Sequence, residues 1–351
     1  MAVGSLNPND KPILAAVVDE EGKRYLELRK ADGRIRRQRL SENFKSNPKS
    51  MALHDLNQDG LGDVVVLIPF EKVKVLIQTE GMDFEEADVA PPGGSADQPW
   101  LSASDVDGDG KPELLLAQKN FLRAVTLHKR TSEPAGAAGS TWAFQVKDQI
   151  NGAASSSTIV GAAALRNGTN GVDSIFLLDA ERKSLTLSER DAAGVWQVAR
   201  NMPLPVTDFT GLQPIALGGA TPNAVAFFGN TGVAWMPLRG EVWELADLDG
   251  YESPIKDSFL LDVISGDLNH DGRKDLVFLE TRKNYIDVVT FEPPHRLVPA
   301  NRWQVFEERT FRARRNEAPE PREALIVDIN NDGKNDLVVL VHDRIIVYPQ
   351  E

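Results

Sequence analysis

The sequence contains no cysteine, which excludes disulfide bonds, thiolate metal sites and a cysteine nucleophile. It also lacks long apolar runs, because the longest, such as residues 64–68, fall far short of the roughly 18 residues that a membrane-spanning helix needs. Basic residues are few, with 39 Lys and Arg against 52 Asp and Glu, and the net charge is −13. Since phosphate binding depends on cationic side chains, we expect no nucleic-acid binding. The short apolar runs likewise lead us to expect no membrane span.

Familiar targeting and catalytic motifs are also missing. The first ten residues have neither the basic nor the apolar stretch of a secretory signal, so any such signal has been removed or never existed. There is no G-x-S-x-G elbow or Walker loop, and the five His residues lack metal-ligand spacing. We therefore predict a protein without catalytic activity.

An internal repeat dominates what is present. Four segments contain an apolar stretch, then the pattern D-x-[DN]-x-D-G-x-x-[DE], then a run of β-forming residues; they span residues 53–67, 103–116, 266–279 and 327–340. Three weaker copies align on the residue that opens the β-run. The runs open near residues 13, 63, 113, 173, 223, 275 and 336, which gives a period of about 50 residues with two longer intervals.

Each period has room for four strands. The β-run and the alternating segment after it predict a hairpin, a third segment carries an aromatic residue such as Trp142 or Trp196, and a fourth precedes the acidic loop. Four strands in about 50 residues are typical of a propeller blade. We predict an all-β fold, a seven-bladed β-propeller of four-stranded blades with calcium-binding loops, as a single domain over residues 1–351.

The seventh repeat has no aromatic-bearing strand of its own. Either the first residues pair beside the last blade, or the chain is part of a longer protein with other domains. The sequence leaves both alternatives open.

The acidic loops predict four calcium sites. Calcium binds six to eight oxygens, and acids at alternate positions of a flexible loop supply them, while glycine at position six permits a sharp turn. Positions one, three, five and nine offer side-chain oxygens and position seven offers its carbonyl. The expected ligands are Asp55, Asn57, Asp59, Leu61 and Asp63; Asp105, Asp107, Asp109, Lys111 and Glu113; Asp267, Asn269, Asp271, Arg273 and Asp275; and Asp328, Asn330, Asp332, Lys334 and Asp336.

A turn without metal is the alternative for any one loop, because Asp, Asn and Gly also favour tight turns. Four copies in the same phase favour a metal. The thirteen carboxylates at these ligand positions also equal the net charge of −13. The first, fourth and fifth repeats lack the pattern, and we predict no ion there.

The acidic loop recurring before a strand about every 50 residues resembles the FG-GAP and VCBS repeats of integrin α-subunit propellers and of bacterial secreted or surface proteins. The resemblance covers essentially the whole chain, although the Phe-Gly and Gly-Ala-Pro elements are not cleanly present, so a VCBS-like variant fits better. It implies a calcium-stabilised propeller outside the cytoplasm: extracellular, at the cell surface or periplasmic.

The same resemblance implies a module that binds a protein or carbohydrate ligand on a propeller face, as in adhesion. The alternative is a carbohydrate-active enzyme, a glycoside hydrolase or polysaccharide lyase, or a lectin, built on the same propeller. The sequence does not name the ligand.

Overall fold

The computed structural model describes residues 1–350 apart from 43, 99–100, 131–140, 167–172, 205–208, 217–223, 230–231, 240–241, 244–248, 293–295 and 307–319. Contacts divide the chain into two compact units, residues 1–203 and 204–351. Each unit is described by itself below, and a single domain over residues 1–351 stays a prediction. One short 3-10 helix, Glu80–Met82, is the single helical element among the described residues.

The first unit contains four antiparallel sheets, each with four strands paired in chain order. Blade one comprises β1 (Ala2–Gly4), β2 (Ile13–Glu20), β3 (Lys23–Arg29) and β4 (Ile35–Arg39). Blade two comprises β5 (Ser50–His54), β6 (Asp63–Leu67), β7 (Val73–Gln78) and β8 (Phe84–Val89). Blade three comprises β9 (Leu101–Ser104), β10 (Glu113–Gln118), β11 (Phe121–Lys129) and β12 (Trp142–Asn151). Blade four comprises β13 (Ile159–Arg166), β14 (Asp173–Asp179), β15 (Ser184–Arg190) and β16 (Trp196–Pro203).

The second unit contains three further sheets. Blade five comprises β17 (Phe209–Ile215), β18 (Ala224–Gly229), β19 (Gly232–Arg239), β20 (Val242–Trp243) and β21 (Asp249–Glu252), the last two both pairing with β19. Blade six comprises β22 (Leu260–Gly266), β23 (Asp275–Glu280), β24 (Tyr285–Glu292) and β25 (Arg296–Gln304). Blade seven has three described strands, β26 (Glu323–Val327), β27 (Asp336–Val341) and β28 (Arg344–Tyr348).

These sheets confirm the predicted fold class: the protein is an all-β, seven-bladed β-propeller. Every described second strand except the fifth begins at the residue where the sequence places a β-run, and the fifth begins at Ala224, one residue after the expected Asn223, which lies outside the described residues.

The sequence repeat is counted from the β-run, but each blade begins one strand earlier, with the strand before the acidic loop. The strand before each acidic loop pairs across that loop with the β-run that follows, as His54 pairs with Asp63 and Val327 with Asp336. It is therefore the first strand of its own blade, because a loop of eight residues readily joins two antiparallel neighbours. By the same pattern β1 pairs with β2 in blade one.

The cores lie between neighbouring blades of a unit. Along β6, Val64 and Val66 pack in the cluster shared with blade one, whereas Val65 and Leu67 pack in the cluster shared with blade three. Successive side chains of a strand point to opposite faces of its sheet. Both faces are covered, and this explains why the second strands read as unbroken apolar runs instead of alternating ones.

Outer strands are linked by polar contacts from the in-phase aromatic residues. The Trp142 indole N–H of blade three donates to Glu85 Oε1 of blade two at 3.0 Å, and the Trp196 indole N–H of blade four donates to Asp148 Oδ2 of blade three at 2.9 Å. These two tryptophans are therefore blade-packing residues. Trp235, whose position out of phase suggests a surface role, is instead only 2% exposed, and its β19 neighbours Val233 and Met236 are buried as well.

A close approach between blades six and seven gives a stability prediction. A Cβ atom at Gly266 would lie 2.3 Å from Ile326 Cγ2 and 2.8 Å from Ile326 Cβ. Gly266→Ala is expected to lower the free energy of unfolding by about 1–3 kcal/mol, since overpacking forces neighbouring atoms apart. Chemical denaturation measures the change.

Gly232→Ala is the matched control, because the nearest atom to its Cβ is Tyr251 O at an ordinary 3.4 Å. The double variant Gly266→Ala with Ile326→Ala should lose less unfolding free energy than the sum of the losses in the two single variants. An unfolding free energy for Gly266→Ala equal to that for Gly232→Ala would contradict the prediction.

Candidate metal centre

The four acidic loops share one backbone conformation. Position four has a positive φ in every loop: 59° at Gln58, 84° at Gly108, 59° at His270 and 61° at Asn331. Position six is glycine with φ between 80° and 91°, at Gly60, Gly110, Gly272 and Gly333. A φ of about 60° at position four is tolerated by Gln, His and Asn, whereas the larger φ at position six lies outside the region that residues with a Cβ adopt, which explains the glycine.

Acids at positions one and five hold this backbone. In the first loop, Gly60 N–H donates to Asp55 Oδ2 at 2.9 Å and Leu61 N–H donates to Asp59 Oδ1 at 2.8 Å. The same pair of bonds recurs in the other loops at 2.8–3.0 Å. The position-seven residues, Leu61, Lys111, Arg273 and Lys334, are thus placed by their own N–H groups beside the acid at position five.

The acid at position nine is turned into the protein. Asp63, Glu113, Asp275 and Asp336 are between 0% and 2% exposed. In each loop it accepts the N–H of position two at 2.9–3.1 Å, the donors being Leu56, Val106, Leu268 and Ile329. This acid therefore braces its loop, a role that the metal-ligand interpretation of the sequence missed.

Two of these acids also bind a backbone N–H at the end of the third strand or just after it. Gln78 N–H donates to Asp63 Oδ1 at 2.9 Å, and Gln350 N–H donates to Asp336 Oδ1 at 3.0 Å. The signal in the sequence was the placement of an acid as the first residue of a buried strand. A buried carboxylate needs such donors because an unpaired one is costly.

Burial and neighbouring acids raise the pKa of the position-nine carboxyls of the first three loops. Burial is the main cause that raises the pKa of Asp63 to about 7, and repulsion from Asp59 and Asp55 adds to it. Burial also raises the pKa of Glu113 and of Asp275. The exposed acid Asp332, in contrast, has its pKa lowered, chiefly by the Lys334 N–H.

The second loop brings three carboxylates close enough together to hold one metal ion. Carboxylate oxygens of Asp105, Asp107 and Asp109 lie within 4.8 Å of one another. Calcium binds oxygens at about 2.3–2.6 Å, so two ligands of one ion lie at most about 5 Å apart. The three acids fit this limit, and Lys147 Nζ, 3.6 Å from Asp107 Oδ2, is the neighbouring cation.

The other three loops carry Asn in place of the middle acid. In loop one, Asn57 Oδ1 and Asp55 Oδ1 both accept the N–H of Asp59, at 3.1 Å and 3.0 Å, so the oxygens of positions one and three converge. Loops three and four repeat this convergence at Asp267 and Asn269 on Asp271, and at Asp328 and Asn330 on Asp332. Calcium binding at all twenty positions stays a prediction.

The degenerate copies differ. In the first repeat, Asn7 and Asp10 contact each other through a side-chain hydrogen bond of 2.5 Å. In the fourth and fifth repeats, Asn167, Thr169, Leu217, Gly219 and Asn223 lie outside the described residues. Asp173, which is described, lines a shallow pocket of about 450 Å³ with Asp105 and accepts from Ser104 Oγ at 2.9 Å.

A second pair of acids lies away from the loops. Asp262 on β22 and Glu323 on β26 belong to the first strands of blades six and seven, which are in contact. Burial, with added repulsion from Glu323, raises the pKa of Asp262 to about 7, while the N–H of Val263 at 2.8 Å opposes the shift. No sequence motif marked this pair, because it depends on contact between strands of two different sheets.

Comparison with protein families supports the repeat. Residues 55–116 match the model of the FG-GAP-like repeat, a segment that contains the first two acidic loops. Together with the seven blades, this match confirms the resemblance of the chain to FG-GAP and VCBS propellers. A search of curated proteins found no match. Among the described residues, no helix has the length and apolar character needed to cross a bilayer.

Solved structures share the fold at low sequence identity. BBS1N, solved in complex with ARL6DN, aligns with a TM-score of 0.61 and 12% identity, covering 99% of this chain and 91% of that one. A protein from Bacteroides uniformis with the provisional name 6-phosphogluconolactonase gives 0.61 and 12%, covering 97% and 92%. The periplasmic gluconolactonase of Pseudomonas aeruginosa gives 0.57 and 13%, covering 95% and 90%.

The prediction of a protein without catalytic activity is corrected by these comparisons. Two structures that share the fold over nearly the whole chain carry the names of lactonases. The physical reason is that a propeller face is assembled from many separate loops, so an active site on it needs no short sequence motif. At this level of identity the likeness shows the fold alone.

The Asp262 carboxyl predicts a pH dependence. A folded-state pKa of about 7 against the usual 3.8 means that the folded protein holds the proton more tightly. Stability from this group is full below about pH 4 and is lost as the pH rises to about 7. Asp262→Asn should therefore stabilise the protein at pH 8 and not at pH 4, as measured by thermal melts in chelator.

Asp257→Asn, at an exposed turn position with φ of 60°, is the control. It should leave the difference in melting temperature between pH 4 and pH 8 as it is in the unaltered protein. Equal effects of Asp262→Asn at pH 4 and pH 8 would contradict the assignment.

Proposed function

We propose that the chain is a calcium-binding β-propeller that serves as an interaction module for a protein or glycan ligand. The observation that carries this proposal is the recurrence of one loop geometry at four acidic loops, each between the first and second strand of its blade. Calcium would be held by positions one, three and five, the position-seven carbonyl and the acid at position nine.

Electrostatics favour an ion in these loops. Three or more carboxylates within about 5 Å repel one another unless a cation neutralises them, and the repulsion is stronger near a protein surface than in bulk water. Burial is the main cause of the raised pKa of Asp63, and repulsion from Asp59 and Asp55 adds to it. A divalent ion removes this repulsion, and the loop then joins the first two strands of the blade rigidly.

A turn without metal remains the competing account, and the chain contains such a turn. Asp191 Oδ1 accepts the N–H groups of Ala193 and Val195, both at 2.9 Å, with no second acid of the pattern nearby in sequence. Carboxylate-to-backbone bonds alone therefore do not require calcium. Asp191 provides a matched control for the experiments below.

The compartment follows from the calcium requirement. Extracellular calcium modules bind at about 10⁻⁴–10⁻³ M, a concentration range met outside the cytoplasm. We propose that the protein acts extracellularly, at a cell surface or in the periplasm. The complex of BBS1N with ARL6DN supports a role in protein binding by showing a protein of this fold with a partner.

Calcium is expected to raise the melting temperature of the chelated protein, and elemental analysis should find about four ions per chain. An ion present at a hundred times its dissociation constant adds about 2.7 kcal/mol per site. A melting temperature that does not change with calcium, together with no bound metal, would show that the loops are metal-free turns.

Single-loop variants assign the ions. Asp59→Ala, Asp109→Ala, Asp271→Ala and Asp332→Ala should each lose one ion and part of the rise in melting temperature. Asp191→Ala, which removes the acid of the ordinary turn, should keep all four ions. Loss of an ion from Asp191→Ala, or retention of four ions by a loop variant, argues against the assignment.

Hydrolysis of a sugar lactone is a second candidate, favoured by the names of two structures with this fold. A pH-stat assay with gluconolactone and with 6-phosphogluconolactone, in calcium and in chelator, tests it. Proton release above the spontaneous rate supports an enzyme. Binding to a glycan array without product release supports a lectin, and reducing or unsaturated ends would support a glycosidase or lyase.

A further inference from the structure

An exposed aromatic residue at the tip of blade two is unlike its counterparts in the other blades. Phe70, in the turn between β6 and β7, is 77% exposed, more than any other large hydrophobic residue among the described residues. It has a φ of 66°, which is unfavourable for a bulky side chain. The corresponding left-handed residues of the other described turns are polar: Glu21, Lys119, Lys183, Asn284 and His342.

The fold therefore does not require a phenylalanine here. In the shorter turns of other blades Asn or Lys takes a left-handed position, and an exposed phenyl ring gains nothing from burial in the isolated chain. Backbone strain and exposure at one position are the signs of a residue retained for contact with something else.

Three lysines lie in the Phe70 turn or in the segment beside it. Lys72 follows in the same turn, and the segment that links blades one and two, residues 40–49, carries Lys45 and Lys49. That segment lies against the turn, because Lys49 N–H donates to Leu67 O at 3.0 Å and Ser46 Oγ donates to Glu71. The three lysines are exposed, and none makes an ion pair within the described part of the chain.

A small pocket opens beside this turn. Its volume is about 270 Å³, and its lining includes the apolar Phe44 and Ile68 together with Glu71, Lys72, Lys74 and Asp88. Lys74 is already engaged by Asp88 at 2.8 Å and Glu86 at 3.6 Å, so Lys72 is the cation of the lining left for a ligand. We call Phe70, the three lysines and this pocket the Phe70 corner.

We propose that the Phe70 corner binds a protein partner through a peptide segment that carries an acidic residue next to an apolar one. The apolar side chain packs on Phe70 and the pocket, and the acid meets Lys45, Lys49 and Lys72. Charge complementarity selects this partner, since three exposed lysines without ion pairs among the described residues attract an anion locally, although the net charge of the chain is −13. The proposal rests on the proposed interaction role and names its site and partner chemistry.

Peptide selection tests the proposal. Random dodecapeptides displayed on phage are selected on the immobilised, calcium-loaded protein, and enriched peptides are synthesised with a fluorescent label for anisotropy titrations. Enriched sequences are expected to pair Asp or Glu with a neighbouring Leu, Ile or Phe. Binding should weaken as salt is raised from 50 to 500 mM, because exposed charges are screened within about 10 Å at 0.1 M salt.

Two variants locate the binding. Phe70→Asn should raise the dissociation constant at least tenfold and leave the melting temperature equal or higher, since Asn tolerates left-handed backbone. Lys72→Glu should weaken peptide binding, and the loss of affinity should be larger at low salt than at high salt. Val195→Ser removes another exposed apolar residue, and Lys183→Glu changes the equivalent turn of blade four; both should bind as the unaltered protein does.

Equal affinity of Phe70→Asn, enrichment of peptides without acids, or failure to enrich any peptide would overturn the proposal. So would a sulfated oligosaccharide that binds at Phe70 when peptides do not. The calcium-dependent rise in melting temperature is measured on the same samples. An intact calcium response with no Phe70-dependent peptide defeats only this inference, whereas loss of the calcium response defeats the proposed metal centre.

Discussion

The left-handed turn of each acidic loop is the constraint on which the rest of the structure depends. Position six must be glycine because the loop turns through left-handed backbone, and the acids at positions one and five bind the backbone N–H groups that this turn leaves free. The loop brings acids close together in order to form at all. A cation would relieve the repulsion among these acids, and this links the local backbone chemistry to the proposed calcium requirement.

The acid at position nine connects the loop to the blade core. Its bond to the N–H of position two closes the loop, and in blades two and seven its other oxygen accepts from the end of the third strand. One side chain therefore ties the loop to the blade core, and in those two blades to the third strand as well. The position-nine acid would couple the binding of an ion by the outer acids to the position of the buried second strand.

Much of the fold follows from the sequence because its determinants are local and periodic. Asp63, Asp275 and Asp336 open strands at the predicted residues, and the unbroken apolar runs after them reflect sheets covered on both faces. Features that depend on distant pairing were not predictable. The strand before each loop belongs to the same blade as the β-run that follows the loop. Asp262 comes near Glu323 only because their two strands are in contact, and Trp235 is buried despite its irregular spacing.

The candidate site was predictable in composition and less so in roles. Spacing identified the acids of all four loops, but an acid that braces a loop and an acid that binds an ion occupy the same position in a pattern. Phe70 carried no motif, and only comparison with the equivalent turns of the other blades reveals it. Catalysis was wrongly excluded, because the absence of motifs says little about a site built from many loops.

Anomalous scattering from crystals grown with calcium tests the central claim most directly. Data collected at a long wavelength should show four strong peaks, one in each acidic loop, within about 2.3–2.6 Å of oxygens from positions one, three and five. A well-ordered map with no peak in these loops, at a calcium concentration of several millimolar, would contradict the account.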